Sequence, residues 1–191
     1  IKNPEVESVI ITIGGDIGSG KSTVAISLAD RFGLKHISAG DAFRKMAEEK
    51  GLSLADFSKM AEESHEFDKE LDDKQVALAR DAGDAIVDGR LSGLLLKDAV
   101  LKIWLRAPID ERAKRVVKRE GKDYDQALKE TVEREKSEIK RYLDIYGIDI
   151  RDLSNYDVVL NTSLWGPEEV ISIIGEMISS LMKGGDNHGD R

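Results

Sequence analysis

A glycine-rich run near the N-terminus has the residue types and the spacing that hold a polyphosphate. The run reads Gly15-Asp16-Ile17-Gly18-Ser19-Gly20-Lys21-Ser22-Thr23 and satisfies the pattern GxxxxGK[ST]. Glycines let successive backbone N–H groups turn toward bound phosphates, and the N-terminus of a following helix adds positive partial charge. We expect Lys21 to reach the β- and γ-phosphates of a nucleoside triphosphate, and the Ser22 hydroxyl to ligate Mg²⁺.

Other nucleotide sites fit the sequence less well. The dinucleotide pattern GxGxxG does not match, because the spacing of Gly15 and Gly18 is wrong for it. A signalling GTPase needs a guanine-reading NKxD-type motif, which Asn161-Thr162-Ser163 does not supply, and a large ATPase motor needs a longer chain. Small P-loop kinases remain, and these need arginines on separate elements to neutralise the donor and acceptor phosphates.

Two arginines stand where such a kinase needs them. Arg44 lies one turn into a predicted helix, and Arg90 directly follows a predicted buried strand. Open α/β sheets bind ligands at the carboxyl ends of their strands, so this position favours a role in binding phosphate over that of an ordinary surface residue. Asp88, which ends the same strand, has the form of a Walker B carboxylate that orients Mg²⁺ directly or through water.

Further arginines share helix faces. One set has the spacing i, i+3, i+7 and the other i, i+4, i+7: Arg112, Arg115 and Arg119; Arg134, Glu138 and Arg141. The short polar segment 121–125 joins the two helices, which predicts a lid whose arginines close over the phosphates and exclude water. We expect Arg115 and Arg119 to serve ATP. The alternative is a solvated face with intrahelical ion pairs to Glu133, Glu135 and Glu138.

The number of arginines favours a phosphate as the acceptor. A phosphate monoester has a second pKa near 6 and is largely dianionic at neutral pH, so it needs no general base. A hydroxyl acceptor such as shikimate needs a positioned carboxylate, and Asp41, Asp68 and Asp72 keep that alternative open. A nucleotide-operated binding module without catalysis is a further alternative. The histidines do not form a set that predicts a metal cluster: His36, His65 and His188.

Short apolar runs alternate with longer amphipathic stretches, which predicts an α/β domain with a mainly parallel sheet. The predicted strands cover 9–13, 34–37, 85–87, 101–105 and 158–160. The predicted helices cover 21–32, 41–50, 54–63, 67–80, 110–119, 126–146 and 167 to about 182. The chain has 191 residues, so we predict one domain over 1–182 and a flexible tail over 183–191.

Composition limits the classes of function. With 40% hydrophobic and 35% charged residues the chain is neither disordered nor collagen-like, and zero cysteines exclude disulfides and thiolate metal sites. We expect no membrane span, no export signal and a cytoplasmic location. The net charge is −8, yet residues 106–141 hold 12 lysines and arginines against 9 acidic residues. Because only 5% of residues are aromatic, this segment predicts a small anionic ligand and not a nucleic acid polymer.

With these motifs in place, the chain resembles the archaeal-type cytidylate kinases over almost all of 9–178. The resemblance is carried by seven blocks: Ile10-Ile11-Thr12-Ile13-Gly14-Gly15, Ser38-Ala39-Gly40-Asp41-Ala42-Phe43-Arg44, Leu101-Lys102-Ile103-Trp104-Leu105 followed by Ala107-Pro108, Lys118-Arg119-Glu120-Gly121, Lys140-Arg141-Tyr142, Tyr146-Gly147-Ile148-Asp149-Ile150 and Leu160-Asn161-Thr162-Ser163. It implies a P-loop NTPase fold of three α/β/α layers around a five-stranded parallel sheet. It also implies a core of 8–40, 83–108 and 150–182, a helical insertion that binds the monophosphate at about 41–82, and a lid with flanking helices at about 109–149.

The resemblance further implies ATP with Mg²⁺ as the phosphoryl donor, CMP or dCMP as the acceptor, and a monomer. Arg44, Arg90 and Arg134 would hold the CMP phosphate, and Arg141 would act near the transferring phosphoryl group. Ser38 and Glu138 would lie near the sugar. Bacterial relatives follow their Asp-Gly-Arg triplet with an acidic residue at the cytosine, whereas Leu91 follows Arg90 here. The residue that reads the base is therefore left open.

Overall fold

The computed structural model describes residues 8–63 and 66–184. Its strands are β1 Ile10–Gly15, β2 Lys35–Ser38, β3 Ala85–Asp88, β4 Leu101–Arg106 and β5 Val158–Asn161. Its helices are α1 Lys21–Phe32, α2 Ala39–Glu49, α3 Leu54–Glu63, α4 Glu66–Ala82, α5 Ser92–Leu95, α6 Ile109–Glu120, α7 Tyr124–Tyr146 and α8 Pro167–Gly184. No helix in these ranges is long and apolar enough to cross a membrane.

The five strands form one parallel sheet in the order β2-β3-β1-β4-β5. The three inner strands are almost continuous apolar runs because helices cover both faces, and all six residues of β1 are buried. This confirms the predicted α/β fold and its five strands. The carboxyl ends of β1, β2 and β3 lie side by side, since Ile13 and Ser38 both pair with Asp88. Residues that follow these strands therefore meet at one edge of the sheet.

Two apolar clusters on opposite faces of the sheet form the core. One joins β1 and β4 to α1 and α8 and includes Ile11, Leu28 and Ile174. The other joins β1, β2 and β3 to α4 and includes Ile10 and Val87. Each fully buried side chain of this size contributes roughly 1.5–3 kcal/mol, so these clusters hold the three layers together.

Helix ends follow local sequence signals. Ser38 caps α2, because its hydroxyl accepts a hydrogen bond from the N–H of Asp41 at 3.2 Å, and this cap starts the helix at Ala39, before the predicted residue 41. Asp123 caps α7 in the same way, so α7 begins at Tyr124 and not at 126. As predicted, α1 ends at Gly33, which adopts the left-handed conformation.

Three features differ from the predicted elements or lie outside them. The short helix α5 was not predicted, because a four-residue turn carries no periodic signal. Helix α8 continues through Gly184, two residues past its predicted end. Within the described ranges, His36 lies in β2 as expected, whereas His65, His188 and residues 185–191 lie outside them.

Candidate active site

The phosphate-binding run leaves the end of β1 and enters α1 through backbone that only glycine tolerates. Gly15 has φ +150° and Gly18 has φ +78°. A Cβ on Gly15 would clash with the carbonyl oxygen of Leu105, and one on Gly18 would lie 2.7 Å from the carbonyl oxygen of Arg112. These glycines let the loop pack closely against β4 and α6 and leave its concave side open.

Lys21 lies in this loop as a buried cation. Its Nζ donates a hydrogen bond to the carbonyl oxygen of Asp16 at 3.0 Å. Burial and the nearby charge of Arg90 lower the pKa of Lys21 to about 8, although Asp88 and Glu138 act in the opposite direction. A bound polyphosphate would supply a negatively charged partner for this ammonium group.

Asp88 and Ser22 form a pair of oxygen donors suited to Mg²⁺. The Asp88 carboxyl group is buried, and its Oδ2 has no fully formed hydrogen bond within the described residues. Burial raises its pKa, but the neighbouring polar side chains of His36, Ser22 and Ser38 favour the charged form and keep the pKa below its usual value. No group of three or more acidic or histidine side chains that could hold a metal occurs in the described ranges. The two oxygen donors of Asp88 and Ser22 fit Mg²⁺, which takes one or two protein oxygens and completes its shell with phosphates and water.

The phosphate-binding run, residues 15–23, forms the P-loop. A cavity of about 210 Å³, the central cavity, opens between the P-loop, α2, α4 and α7. Most of the charged residues singled out from the sequence line it: Lys21, Ser22, Arg44, Asp88, Arg90, Arg119, Arg134, Glu138 and Arg141. They come from five separate parts of the chain. The fold therefore brings these side chains to one place, as the sequence analysis expected.

Arg90 and Glu138 form a largely buried ion pair, and both residues line the cavity. Arg90 Nε lies 2.6 Å from Glu138 Oε2, and Arg90 Nη1 donates to the carbonyl oxygen of Gly15 at 2.9 Å. Burial alone would raise the pKa of Glu138, but the positive charges of Arg90, Arg134 and Arg141 outweigh burial and lower this pKa, so the carboxylate stays charged. The predicted alternative of intrahelical pairing does not describe Glu138, whose partner lies on a different element.

The other arginines of the cavity differ in how fully they are engaged. Arg141 is 2% exposed; its Nε donates to Asp68 at 2.8 Å and its Nη1 to the Ser137 hydroxyl at 2.6 Å. Arg44 is partly exposed and pairs with Asp41. Arg134 Nε has no hydrogen-bond partner in the described part of the chain. Arg134 is thus the guanidinium group with donor capacity most clearly left for an anion.

A second cavity of about 520 Å³, the outer cavity, lies on the other side of the P-loop. Arg115 and Arg119 line it, together with Thr162, Trp165 and Pro167. Gly18, Gly20, Thr23 and Arg119 line both cavities. The P-loop and Arg119 therefore form the partition between two neighbouring binding spaces.

Arg112 and Arg115 hold the P-loop backbone in place. Arg115 donates to the Thr162 hydroxyl at 2.8 Å and to the carbonyl oxygen of Ser19 at 3.2 Å. Arg112 donates to the carbonyl oxygen of Ile17 and makes two contacts with Glu135, at 2.5 and 3.2 Å. The expectation that Arg112 belongs with the arginines laid over phosphates is therefore wrong, because its buried side chain faces protein carbonyls.

Sequence reasoning missed several residues around the site. Gln75 donates to the carbonyl oxygen of Asp88 at 2.9 Å and so fixes the end of β3. Tyr142 and Phe43 line the central cavity, and Trp165 lines the outer one. Trp165 is one of two tryptophans in the chain and lies four residues after the end of β5, which was a usable signal. Nothing local distinguishes Gln75 from other polar helix residues.

Comparison with solved structures concerns the fold. The chain resembles shikimate kinase from Acinetobacter baumannii in complex with shikimate, with a TM-score of 0.57 and 15% sequence identity over 95% of this chain and 97% of that one. A likeness at this identity shows the fold alone. The fold, together with the GxxxxGK[ST] run after its first strand, is that of a P-loop protein with a five-stranded parallel sheet.

Comparison with curated sequences gives the family. The profile of the cytidylate kinase-like family matches residues 10–164. Cytidylate kinase from Pyrococcus horikoshii is 48% identical over 94% of this chain and 93% of its own length. Cytidylate kinase from Methanopyrus kandleri is 48% identical over 92% of this chain and 96% of its own. The chain belongs to the cytidylate kinase-like family, which confirms the resemblance found in the sequence.

Proposed function

We propose that this protein is a nucleoside monophosphate kinase that transfers the γ-phosphoryl group of ATP to CMP, giving ADP and CDP. The observation that carries the proposal is the pair of cavities that share the P-loop and Arg119 as their common wall. Two ligands bound in them would meet at the phosphate-binding run. The 48% identity to curated cytidylate kinases supports CMP as the acceptor and makes a non-catalytic module the weaker reading.

The donor side is assigned to the outer cavity and the P-loop. Backbone N–H groups over 15–23 would surround the phosphates of ATP, with Lys21 at the β- and γ-phosphates. Arg119 would stay in contact with the γ-phosphate during the transfer, because it lines both cavities. Arg115 serves ATP less directly, since its hydrogen bonds hold the loop that binds the phosphates.

The acceptor side is assigned to the central cavity. Arg44, Arg90 and Arg134 would bind the phosphate of CMP, while Ser38 and Glu138 would lie near its sugar. An oxygen of this phosphate attacks the γ-phosphorus, and the bond from that phosphorus to the bridging oxygen of ADP breaks. The attacking oxygen is already deprotonated at neutral pH, so no side chain has to remove a proton. Arg141 would lie near the transferring group once its bond to Asp68 is exchanged.

Ser22 and Asp88 would hold Mg²⁺, Ser22 directly and Asp88 directly or through water. When bound, the ion neutralises charge on the donor phosphates. Buried Asp88, with an unsatisfied oxygen beside the Ser22 hydroxyl, supports this assignment.

The remaining parts of the proposal concern the whole chain. Helices α2 to α4 would form the monophosphate-binding insertion at about 41–82, and α6 with α7 the lid at about 109–149, within a single domain over 1–182. We propose dCMP as a second acceptor, a monomeric state and a cytoplasmic location, where both nucleotide substrates occur.

A panel of acceptors tests the proposal. ADP release from ATP is measured with CMP, dCMP, UMP, AMP and shikimate, for the wild type and for Lys21→Ala. We expect CMP to give the highest kcat/KM and Lys21→Ala to lower it at least about 10³-fold, because the transferring phosphates lose their charge partner. Lys69→Ala removes an exposed lysine from α4 and should leave the rate unchanged. Wild-type enzyme that releases no ADP in response to CMP contradicts the proposed function.

A further inference from the structure

Asp72 is a buried carboxyl group in the central cavity to which the proposed reaction gives no role. It lies on α4, is 7% exposed and lines the cavity. The hydroxyl of Tyr146, at the end of α7, donates a hydrogen bond to its Oδ2 at 2.8 Å. This bond fixes the orientation of the carboxyl group across two parts of the fold.

The other buried acids of the cavity have cationic or metal-binding neighbours. Glu138 lies 2.6 Å from Arg90, and Asp88 lies 3.7 Å from His36 beside Ser22. Within residues 8–63 and 66–184, no lysine, arginine or histidine forms an ion pair with Asp72. A carboxyl group in this state can accept a hydrogen bond from a neutral ligand without giving up a salt bridge.

The charges that act on Asp72 differ from those around Lys21, although they include Arg141, which the proposed reaction places near the transferring phosphoryl group. The strongest electrostatic effects on Lys21 come from Arg90, Asp88, Glu138 and Asp16. Those on Asp72 come from Asp68, Asp73 and Arg141. An acceptor whose phosphate lies among the first group can therefore extend its base toward the second.

Apolar side chains complete this part of the cavity. Phe43, Leu71, Leu91 and Tyr142 line it together with Asp72. Flat rings and aliphatic groups suit the faces of a nucleobase, and a single polar group among them fixes the orientation of the base. Leu91 itself offers no hydrogen bond, so the polar contact has to come from another residue.

We propose that Asp72 recognises the base of the acceptor, its carboxyl group accepting a hydrogen bond from the 4-amino group of cytosine while Tyr146 holds the carboxyl in place. The inference rests on the proposed function, because it assigns a residue to the base of the same acceptor. Uracil carries an oxygen in place of this amino group. Two oxygens without a hydrogen between them would then face each other, so UMP would bind less well than CMP.

The protonation of Asp72 affects the choice of base. Burial, with help from Asp68 and Asp73, raises the pKa of Asp72 to about 7, although the Tyr146 hydrogen bond and Arg141 act against this. A protonated carboxyl group has one donor and one acceptor, so it can pair with the 4-amino group and N3 of cytosine but also with N3 and O4 of uracil. The preference for cytosine therefore comes from the ionised carboxylate, which can only accept.

Substitution of Asp72 tests the assignment through the ratio of kcat/KM for CMP to that for UMP. In Asp72→Asn the amide can donate to O4 of uracil, so we expect the ratio to fall about 100-fold, roughly tenfold for each altered hydrogen bond. Asp73→Asn, the same change at the neighbouring exposed position, should leave the ratio within about twofold. An equal loss for both substrates, with an unchanged ratio, indicates a structural role and overturns the proposal.

An analogue of CMP that lacks the 4-amino group tests the same contact in the wild-type protein. With 2-pyrimidinone ribonucleoside monophosphate we expect kcat/KM about tenfold below that of CMP. In Asp72→Ala the penalty should be less than about twofold, since this variant has no acceptor for the amino group. Equal penalties in both proteins overturn the proposal. Failure of the wild type to phosphorylate CMP would instead count against the proposed function, so the two failures are distinguishable.

Discussion

At the scale of single residues, the central cavity concentrates buried charge, and the pairing of each charge decides what its removal does. Arg90 and Glu138 are both buried and 2.6 Å apart. Removing one partner of such a pair leaves the other desolvated and unpaired. The sequence analysis placed Glu138 near the sugar of the acceptor, but it gave no sign of the pairing with Arg90, because the two residues are far apart in the chain.

Arg90→Ala is therefore expected to lower both activity and stability. The unpaired Glu138 carboxylate should reduce the free energy of unfolding by about 3–5 kcal/mol, measured by urea denaturation. Adding Glu138→Gln should recover at least about 1 kcal/mol while turnover stays lost. Arg151→Ala, which breaks an exposed pair with Asp149, should leave the midpoint of urea denaturation nearly unchanged. A stable, inactive Arg90→Ala protein would show that the ion pair contributes little to the fold.

Asp72 makes a prediction about stability and pH. Because its pKa is raised to about 7, the folded protein keeps a proton between pH 4 and 7 that the unfolded chain has released. The contribution of protonated Asp72 to the free energy of unfolding is fully present below pH 4 and is lost as the pH rises through 7. Asp72→Asn cannot titrate, so its free energy of unfolding should exceed that of the wild type by about 2–4 kcal/mol at pH 8 and by much less at pH 4. Equal differences at both pH values in urea titrations would mean that Asp72 is not protonated on folding.

At the scale of elements, α6 positions the P-loop through its arginines. Arg112 joins three elements, because it contacts the carbonyl oxygens of Ala107 and Ile17 and the carboxylate of Glu135 on α7. Arg115 joins the loop to Thr162 after β5. The end of the sheet, the P-loop and helices α6 and α7 are thus connected by hydrogen bonds to guanidinium groups.

Arg112→Ala is expected to loosen the P-loop without removing any group from the cavities. Unpaired carbonyl groups and an unpaired Glu135 should lower the free energy of unfolding by about 2–4 kcal/mol. The KM for ATP should rise several-fold while the KM for CMP changes less, because the loop binds the donor. Steady-state kinetics with each substrate varied separately measures this difference. Arg80→Ala on the exposed side of α4 is the matched control. Equal rises in both KM values would argue against a selective effect on the loop.

At the scale of the whole molecule, two anionic ligands have to approach each other within one cluster of positive charge. The chain carries a net charge of −8, yet its arginines gather around the P-loop. Helix α7 already contacts α4, through Arg141 with Asp68 and Tyr146 with Asp72. Closure would therefore involve α6 and the segment 121–125 more than the C-terminal half of α7.

A ligand that spans both cavities should stabilise the protein more than either nucleotide alone. An adenosine and a cytidine joined by five phosphates should raise Tm by several degrees over ATP or CMP at equal saturation, because one molecule engages both sets of arginines. It should also reduce the radius of gyration in X-ray scattering. A Tm shift no larger than that with ATP alone would place the two sites too far apart for direct transfer.

The sequence by itself determined the fold class and most of the side chains in the central cavity. The P-loop is a contiguous pattern, and the buried strands are short apolar runs whose carboxyl ends meet wherever such a sheet forms. Arg44, Asp88 and Arg90 follow those strand ends, so their convergence was predictable. These signals are local, and each is complete within about ten residues.

Only the tertiary structure decided which partner each charged side chain takes. Arg141 binds Asp68 and Tyr146 binds Asp72 across separations of 73 and 74 residues. Arg112 and Arg115 bind carbonyl oxygens of the P-loop, whereas Arg119, on the same helix face, lines both cavities. A helix periodicity shows which residues share a face but not what that face contacts. The contact depends on how α4, α6 and α7 pack against the sheet, and that packing is set by burial summed over the whole chain.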